Sequence, residues 1–390
     1  MVTVAPCLRR RLAPRHRVAL WRVAFLINEL KLGGTETQVC LLARELRARG
    51  TDVHVLVLRG GGAHVAALRL AGIQVHEIGF ATSGSWPAVL AGALKSGATL
   101  VRLLRRLKPQ VLHAFLYRSY VLGPPAARLA GVPIVVAGRR SQSFFKQGRR
   151  WVFALERAAT QMTDHVIANA VAVAEDARTL ERVPAHKLSV IYNGLPASAY
   201  ERIAAAQIDT CLPVIVCVAN LLPVKGHHFL LQAAAMLSQR GRACTLVFVG
   251  EGPEREKVER EASDLKVDVR FTGPVTDTRG LLARADVVVL PSLHEGLSNA
   301  IMEGMAAGRP IVGTAVGGTP ELLDGRGLLV PPADSKALAD AVCRLLDDPE
   351  FAASLAGTAR AWARKNLDAT VFADEHVKLY QRLLEARCVG

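Results

Sequence analysis

The sequence contains no apolar run long enough to cross a bilayer. Hydrophobic residues make up 51% of the chain, yet no stretch approaches the roughly 18 consecutive apolar residues of a transmembrane helix. The first residues are basic, and the next apolar run, Val23 to Ile27, has the length of a strand rather than of a signal-peptide core. We therefore expect a cytoplasmic protein with a loosely held basic tail over residues 1–20.

Patterns for metal binding are also missing. The seven cysteines form no C-x-x-C pair, and the histidines form no H-E-x-x-H motif. The sequence has no D-x-D pair of carboxylates that would hold a metal-bound diphosphate. These absences predict reduced, buried thiols and a reaction that uses neither a metal nor a cofactor.

Negative charge is scarce in one half of the chain. The first 200 residues hold 28 Lys and Arg against 10 Asp and Glu, whereas residues 201–390 hold 21 against 24. A basic face attracts anionic lipid or a phosphorylated acceptor, although an arginine-rich surface that is simply solvated remains the alternative. No nucleic-acid-binding motif accompanies the charge, so we expect no nucleic-acid partner. An anionic membrane surface stays an open hypothesis.

Short buried runs alternate with helical stretches along the whole chain, which predicts an α/β fold. A length of 390 residues indicates two domains. We expect one domain over residues 21–200, a second over 201–369 and a last helix over 370–390, with the polar stretch Leu195 to Pro213 as linker. The predicted strands include Arg22 to Asn28, Asp52 to Leu58, Ile73 to Ile78, Val111 to His113, Ile134 to Val136, His165 to Asn169, Val214 to Ala219, Thr245 to Gly250, Val269 to Gly273, Asp286 to Pro291 and Ile311 to Thr314.

The stretch Ala285 to Leu323 predicts one βαβ unit with two acidic side chains. Ser298 and Asn299 are good helix N-caps, and they follow a buried strand and a loop. Glu295 in that loop and Glu303 in the helix border one crevice at the carboxyl ends of the strands, where α/β sheets bind ligands. Carboxylates there would repel phosphate, so they are better explained as acceptors for sugar hydroxyls. The alternative is a solvated Glu295 and a Glu303 favoured by the helix dipole.

Two further loops sit at the ends of predicted strands. Gly33 and Gly34 precede a helix for which Thr35 and Gln38 predict a capping box, and such glycines let the backbone approach a ligand closely. Lys225 lies in the loop after another strand, where a lysine pairs with a diphosphate as a point charge. A tight turn and a surface lysine are the corresponding structural alternatives.

The run from Glu295 to Glu303, EGLSNAIME, together with Gly317-Gly318-Thr319-Pro320-Glu321, resembles the E-x7-E signature of glycosyltransferase family four. The run GGTE from Gly33 to Glu36 is similar to a loop of that family that meets the donor diphosphate and the acceptor. Members of the family are retaining enzymes of the GT-B fold that use nucleotide-diphosphate sugars. The resemblance therefore implies two doubly wound Rossmann-like domains that face each other across a cleft, with the last helix crossing back to the first domain.

The resemblance also implies roles for individual residues. Glu295 would hold sugar hydroxyls and Glu303 the ribose, while Lys225 and nearby backbone N–H groups would stabilise the diphosphate. His113 ends a strand at the position of a histidine that lies beside the transferred sugar. The catalytic set is thus His113, Glu295 and Lys225. The implied donor-binding residues are Gly33, Gly34, Asn220, Lys225, Glu295, Gly296, Leu297, Ser298, Glu303, Gly318 and Thr319.

This chain departs from the family pattern at two positions. Phe115 stands where many members have a second histidine, and Asn220 stands where the family has an arginine near the pyrophosphate. The first departure bears on the role of His113. The second means that one positive charge at the leaving group is missing or is supplied from elsewhere.

We expect a hexosyltransferase that moves a sugar from a nucleotide-diphosphate sugar to a saccharide or lipid-linked acceptor, in cell-surface polysaccharide or glycolipid synthesis. The basic, aromatic stretch from Arg139 to Trp151 is either an acceptor or membrane-facing surface or merely a loop and an outer helix face. A nucleotide-sugar epimerase of the same architecture and a non-catalytic sugar-nucleotide-binding protein are the alternatives. The GGTE loop and the basic first half favour transfer over epimerisation.

Overall fold

A computed structural model describes residues 21–80, 86–142 and 150–389. The predicted basic tail, residues 1–20, lies outside them. Within the described residues, no helix combines the length and the apolar character that a bilayer crossing requires.

The first domain is a parallel sheet of seven strands with helices on both faces. Its strands are β1 (Arg22–Ile27), β2 (Asp52–Val57), β3 (Gln74–Glu77), β4 (Val111–Phe115), β5 (Ile134–Arg139), β6 (His165–Ala168) and β7 (Leu188–Val190). Its helices are α1 (Gly34–Ala48), α2 (His64–Leu70), α3 (Trp86–Leu107), α4 (Tyr117–Ala130), α5 (Arg150–Gln161) and α6 (Val171–Thr179). The strand order is β3-β2-β1-β4-β5-β6-β7, so the direction of winding reverses between β1 and β4. A ligand site is expected at such a reversal, outside the carboxyl ends of the strands.

The second domain repeats this plan with six parallel strands. They are β8 (Val214–Val218), β9 (Thr245–Val249), β10 (Asp268–Gly273), β11 (Val287–Leu290), β12 (Ile311–Thr314) and β13 (Leu328–Val330). The helices are α7 (His227–Gln239), α8 (Arg255–Asp264), α9 (Arg279–Arg284), α10 (Asn299–Ala306), α11 (Thr319–Leu323), α12 (Ser335–Asp347) and α13 (Pro349–Asn366). The order β10-β9-β8-β11-β12-β13 places the reversal between β8 and β11.

The central strands are buried on both faces, as their valine-rich and leucine-rich sequences predict. Every residue of β11, from Val287 to Leu290, is buried. Each sheet therefore carries an apolar core on either side of it, and the loops at the strand ends are left to form the site.

The chain crosses between the domains at two adjacent points. The Leu195 N–H donates to the Leu367 carbonyl at 2.6 Å, and the Ala369 N–H donates to the Leu195 carbonyl at 2.9 Å. Beyond this crossing the last helix, α14 (Ala369–Val389), packs against α1. Its Phe372 and Tyr380 join the core of the first domain. The two crossings form a compact hinge.

The predicted capping box at the start of α1 does not form. The helix begins at Gly34, with Gly33 as an extended N-cap residue that makes no side-chain cap. Gln38 is instead buried, and its amide both donates to and accepts from the backbone of Gly194, at 2.9 and 2.8 Å. Gln38 therefore makes a tertiary contact with Gly194 instead of the predicted capping contact.

Candidate active site

The carboxyl ends of the two sheets face each other across a cleft of about 820 Å³. The first domain contributes the loop at Gly33 and Gly34 and the start of α1. The second domain contributes the loops after β8 and β11 and the start of α10. Of the predicted site residues, the cleft is lined by Gly33, Gly34, Asn220, Lys225, Glu295, Gly296, Leu297, Ser298 and Glu303.

The N-terminus of α10 opens into this cleft. Ser298 is the N-cap, as predicted, and its hydroxyl accepts a hydrogen bond from the Ile301 N–H at 3.3 Å. The first turn of a helix carries unpaired N–H groups and a partial positive charge. The loop Glu295–Leu297 and this helix start therefore form a site suited to a phosphate.

Glu295 is held in place by two neighbours. Lys225 forms an ion pair with its Oε1, and the Ser292 hydroxyl donates to the same oxygen at 2.7 Å. The Glu295 side chain is 8% exposed and that of Lys225 is 23% exposed. Because both described bonds fall on Oε1, the carboxylate is oriented before any ligand arrives. Lys225 also lines the cleft, so its ammonium group lies at the surface that a ligand would meet.

Glu303 lies one turn into α10, where its Oε2 accepts a hydrogen bond from the Thr278 hydroxyl at 2.8 Å. Burial raises the pKa of this carboxyl, while the Thr278 bond opposes that shift. The residue borders both the main cleft and a neighbouring cavity of about 370 Å³ near the hinge. Sequence patterns gave no sign of Thr278, because it reaches Glu303 from a different βα loop.

Glu36 is a cleft residue that the predicted site set does not include. Its carboxylate folds back over Gly33, and a Cβ on that glycine would stand 2.3 Å from Glu36 Oε2. Burial raises the pKa of Glu36. The GGTE pattern could have indicated Glu36, because its carboxylate can fold over the chain only where the residue three positions earlier has no Cβ.

Asn220 lines the cleft at the end of β8 and is exposed. It is uncharged, so it does not replace the positive charge that an arginine would bring there. Among the described residues that line the cleft, the only arginine is Arg140, which belongs to the opposite domain.

The structure does not bring His113 to the cleft. The ring is fully buried, its Nδ1 lies 2.7 Å from the Tyr380 hydroxyl, and it stacks on Phe115 with 3.9 Å between ring centroids. Burial, with His376 and Arg140 nearby, holds the pKa of His113 well below its usual range. The position of His113 therefore does not support its predicted catalytic role, because Tyr380 and His376 of α14 cover the ring and it does not line the cleft.

The sequence predicts that Gly318 and Thr319 bind the donor, but neither residue lines the cleft. The Gly318 N–H donates to the Gly296 carbonyl at 2.7 Å and the Thr319 N–H to the Val316 carbonyl at 3.1 Å. A Cβ on Gly318 would stand 2.8 Å from the Cβ of Ala170 in the first domain. These residues support the Glu295–Leu297 loop from behind, and their N–H groups are already paired.

The first two residues of the stretch from Arg139 to Trp151 do not form an exposed basic surface. Arg139 is buried in an ion pair with Glu181 at 2.7 Å and stacks on Tyr120. Arg140 is also buried, although it borders the cleft. Trp151 is 62% exposed at the start of α5. Residues 143–149, on which the rest of the predicted surface falls, lie outside the described residues.

Two parallel-sheet domains that face each other across a cleft, with paired glutamates beside a helix N-terminus, define a glycosyltransferase of the GT-B class. The chain belongs to glycosyltransferase family 4. Residues 32–198 match the family described as Glycosyltransferase Family 4, and residues 212–348 match that described as Glycosyl transferases group 1.

Individual relatives agree with this assignment. The 2-deoxystreptamine glucosyltransferase of Streptomyces kanamyceticus is 30% identical over 332 residues, which are 76% of this chain and 83% of that protein. The alpha-D-kanosaminyltransferase of the same organism is 34% identical over 177 residues, 44% of this chain and 46% of that protein. The crystal structure of Anabaena Alr3699/HepE in complex with UDP and glucose has the same fold, with a TM-score of 0.81 at 22% identity over 93% of this chain and 99% of that one.

Proposed function

We propose that this glycosyltransferase moves a hexose from a nucleotide-diphosphate sugar to a saccharide or lipid-linked acceptor, with retention at the anomeric carbon and without a metal. The observation that carries the proposal is the placement of Glu295 and Glu303 on either side of the α10 N-terminus in one cleft. With a diphosphate at the helix start, Glu295 would face the sugar and Glu303 would face the ribose. The similar HepE structure holds UDP and glucose, which supports a nucleotide sugar as donor.

The leaving group is stabilised by Lys225 and by the N–H groups at the start of α10. Donors already aimed at developing charge lower the barrier more than donors that must reorient. Lys225 meets this condition because Glu295 already holds its ammonium group. As the diphosphate departs, Lys225 has further donors to offer it.

Neither glutamate is suited to act as a covalent nucleophile. Glu295 is neutralised by Lys225 and hydrogen bonded by Ser292, and Glu303 is buried beside Thr278. A carboxylate in such a pair is a weak nucleophile. Retention then follows from attack on the face that the diphosphate leaves, with the departing phosphate accepting the proton of the acceptor hydroxyl.

We also propose that the enzyme is cytoplasmic and binds peripherally to an anionic membrane surface through its first domain. The first half of the chain is strongly basic, and α5 exposes Trp151 and Leu155 at helical spacing. Aromatic and basic residues together suit a membrane interface.

Sedimentation with vesicles of phosphatidylglycerol should be lost at high salt and weakened by Trp151→Ser. The control Leu70→Ser changes an apolar residue of α2 that is even more exposed, 90% against 62% for Trp151, and should bind like wild type.

A donor panel tests the proposed reaction. Thermal shift with UDP-, GDP- and ADP-sugars identifies the donor, since a ligand that binds the folded state raises its stability. With the chosen donor, release of nucleoside diphosphate should depend on added acceptor, the product linkage should retain the anomeric configuration by NMR, and EDTA should leave the rate unchanged. Interconversion of the donor without an acceptor would instead identify an epimerase. Binding without any turnover would identify a non-catalytic protein.

A further inference from the structure

A chain of three hydrogen bonds crosses from the first domain to the second and returns. Arg140 Nη1 donates to Asn193 Oδ1 at 2.5 Å. Asn193 Nδ2 donates to Asn299 Oδ1 at 2.8 Å, and Asn299 Nδ2 donates to the Gly34 carbonyl at 3.1 Å. Asn299 is the first residue of α10, so the donor-side helix is joined directly to the glycine loop opposite it.

Arg140, at the buried end, sets the donor-to-acceptor direction of this series of hydrogen bonds. A guanidinium group only donates, so Asn193 must present its oxygen to Arg140 and its NH₂ to Asn299. Asn299 must then accept through Oδ1, which leaves its NH₂ for a carbonyl. Gln38 Nε2 also lies 3.4 Å from Asn299 Oδ1 and agrees with this orientation. Each amide therefore has one favourable orientation.

Arg140 is well placed to hold that direction. It is 8% exposed, and among the described residues no hydrogen-bond partner approaches its Nε or Nη2. Burial lowers the pKa of Arg140 to about 10. A buried cation with few partners keeps the one strong acceptor that it has, because the loss of that bond would leave a further charged donor unpaired.

The Gly34 end of the chain is sterically matched to Asn299. A Cβ added to Gly34 would stand 3.3 Å from Asn299 Nδ2. The bare glycine thus lets the start of α1 approach the start of α10. These two helix starts line the same cleft, so the distance between them determines how closely a donor between them is enclosed.

We propose that Asn299 is a positioning residue that latches the two domains together over the donor, with Arg140 and Asn193 orienting its amide; the inference rests on the proposed donor site. With the latch closed, the glycine loop excludes water from the anomeric carbon. With it broken, water competes with the acceptor. The water oxygen then bonds to the anomeric carbon as the carbon–oxygen bond to the diphosphate breaks, and free sugar, nucleoside diphosphate and a proton result.

The test compares Asn299→Asp with wild type. The second carboxylate oxygen would face the Gly34 carbonyl and repel it, while size and shape stay the same. We expect kcat for transfer to fall about 10- to 100-fold and the ratio of donor hydrolysis to transfer to rise. The control Asn366→Asp makes the same change in α13, where the side chain bonds only within its own helix, and should leave both quantities unchanged.

Two further measurements separate the latch from the proposed chemistry. Small-angle scattering should show a larger radius of gyration for Asn299→Asp than for wild type at saturating nucleoside diphosphate, and this readout needs no turnover. Asn193→Asp keeps the acceptor for Arg140 but removes the donor to Asn299, so Asn193→Asp with Asn299→Ala should lose no more activity than Asn299→Ala alone.

An unchanged hydrolysis ratio together with unchanged scattering would overturn the latch, and so would fully additive losses in the double variant. Inactivity of the wild-type protein toward every nucleotide sugar would instead overturn the proposed reaction. If Asn299→Asp fails to fold, Asn299→Ser removes the bond to Gly34 without adding charge and decides the question by the same readouts.

Discussion

The two domains place their charged groups differently around the cleft. The second domain lines it with polar pairs that are already formed, Lys225 with Glu295 and Thr278 with Glu303. The first domain instead buries several of its titratable groups, among them His113, which does not line the cleft, and Arg140, which borders it. The donor side is therefore electrostatically organised before substrate binds, whereas the first domain contributes shape and a latch.

The largest expected effect is on stability in acid. His165 and His376 are packed into the first domain, where burial lowers their pKa to about 4 and about 3. His113 shares that environment, and its pKa is also held far below the usual value. The second domain has one comparable residue, His227, with a pKa lowered to about 4 by burial.

A depressed histidine pKa means that the unfolded chain binds protons that the folded chain does not. The stabilisation is therefore complete above about pH 6.5 and is lost as the pH falls toward about 4, by up to about 1.4 kcal/mol per pH unit for each histidine. Hydrogen exchange between pH 7 and 4.5 should show the first domain losing protection at higher pH than the second. His186→Gln changes an exposed histidine that is only the smallest cause of the lowered pKa of His165, so it should shift the profile little. Earlier loss in the second domain would contradict the comparison.

The next largest effect is expected for Glu295→Ala. The change removes the proposed contact with the sugar hydroxyls and leaves Lys225 without its partner in a partly buried position. We expect kcat/KM to fall by about 100-fold or more, about 3 kcal/mol. Glu375→Ala, on the exposed face of α14, is the matched control and should retain full activity. Turnover equal to wild type in Glu295→Ala would remove this glutamate from the site.

Lys225→Ala should have a smaller effect that is specific for the diphosphate. One charge-assisted hydrogen bond is lost, which weakens binding by about 1–3 kcal/mol. Calorimetry should show this loss for the nucleoside diphosphate and little change for the corresponding nucleoside. Lys257→Ala removes an exposed lysine of α8 and serves as the control. Equal weakening for diphosphate and nucleoside would mean that Lys225 acts through the fold.

The two walls of the cleft also differ in how far the sequence predicts them. Glu295, Ser298 and Glu303 lie within one strand–loop–helix segment, so their spacing alone brings them together, and the prediction that both glutamates border one crevice is confirmed. The fold class was likewise predictable, because parallel strands buried on both faces read as continuous apolar runs.

The remaining contacts depend on residues that are distant in sequence. His113 is covered by Tyr380, 267 positions away, and Asn299 meets Gly34 across 265 positions. Gly318 lies in a glycine turn that looks like a phosphate site, but its N–H is taken by Gly296. Local patterns do not specify which strand end is covered by a later helix or which turn faces the cleft.

The smallest effect is expected in the first-domain wall, for Gly33→Ala. Gly33 has an extended backbone that any residue adopts, so the cost comes from the new Cβ, which would stand 2.3 Å from the Glu36 carboxylate. Displacement of that flexible side chain should cost about 1 kcal/mol and lower kcat/KM about fivefold. Glu36→Asp in the same chain shortens the side chain and should restore part of the rate. Gly357→Ala, at a position in α13 with open space around it, should be neutral. A loss in Gly33→Ala that Glu36→Asp leaves untouched would show that this wall acts through its backbone and not through the position of Glu36.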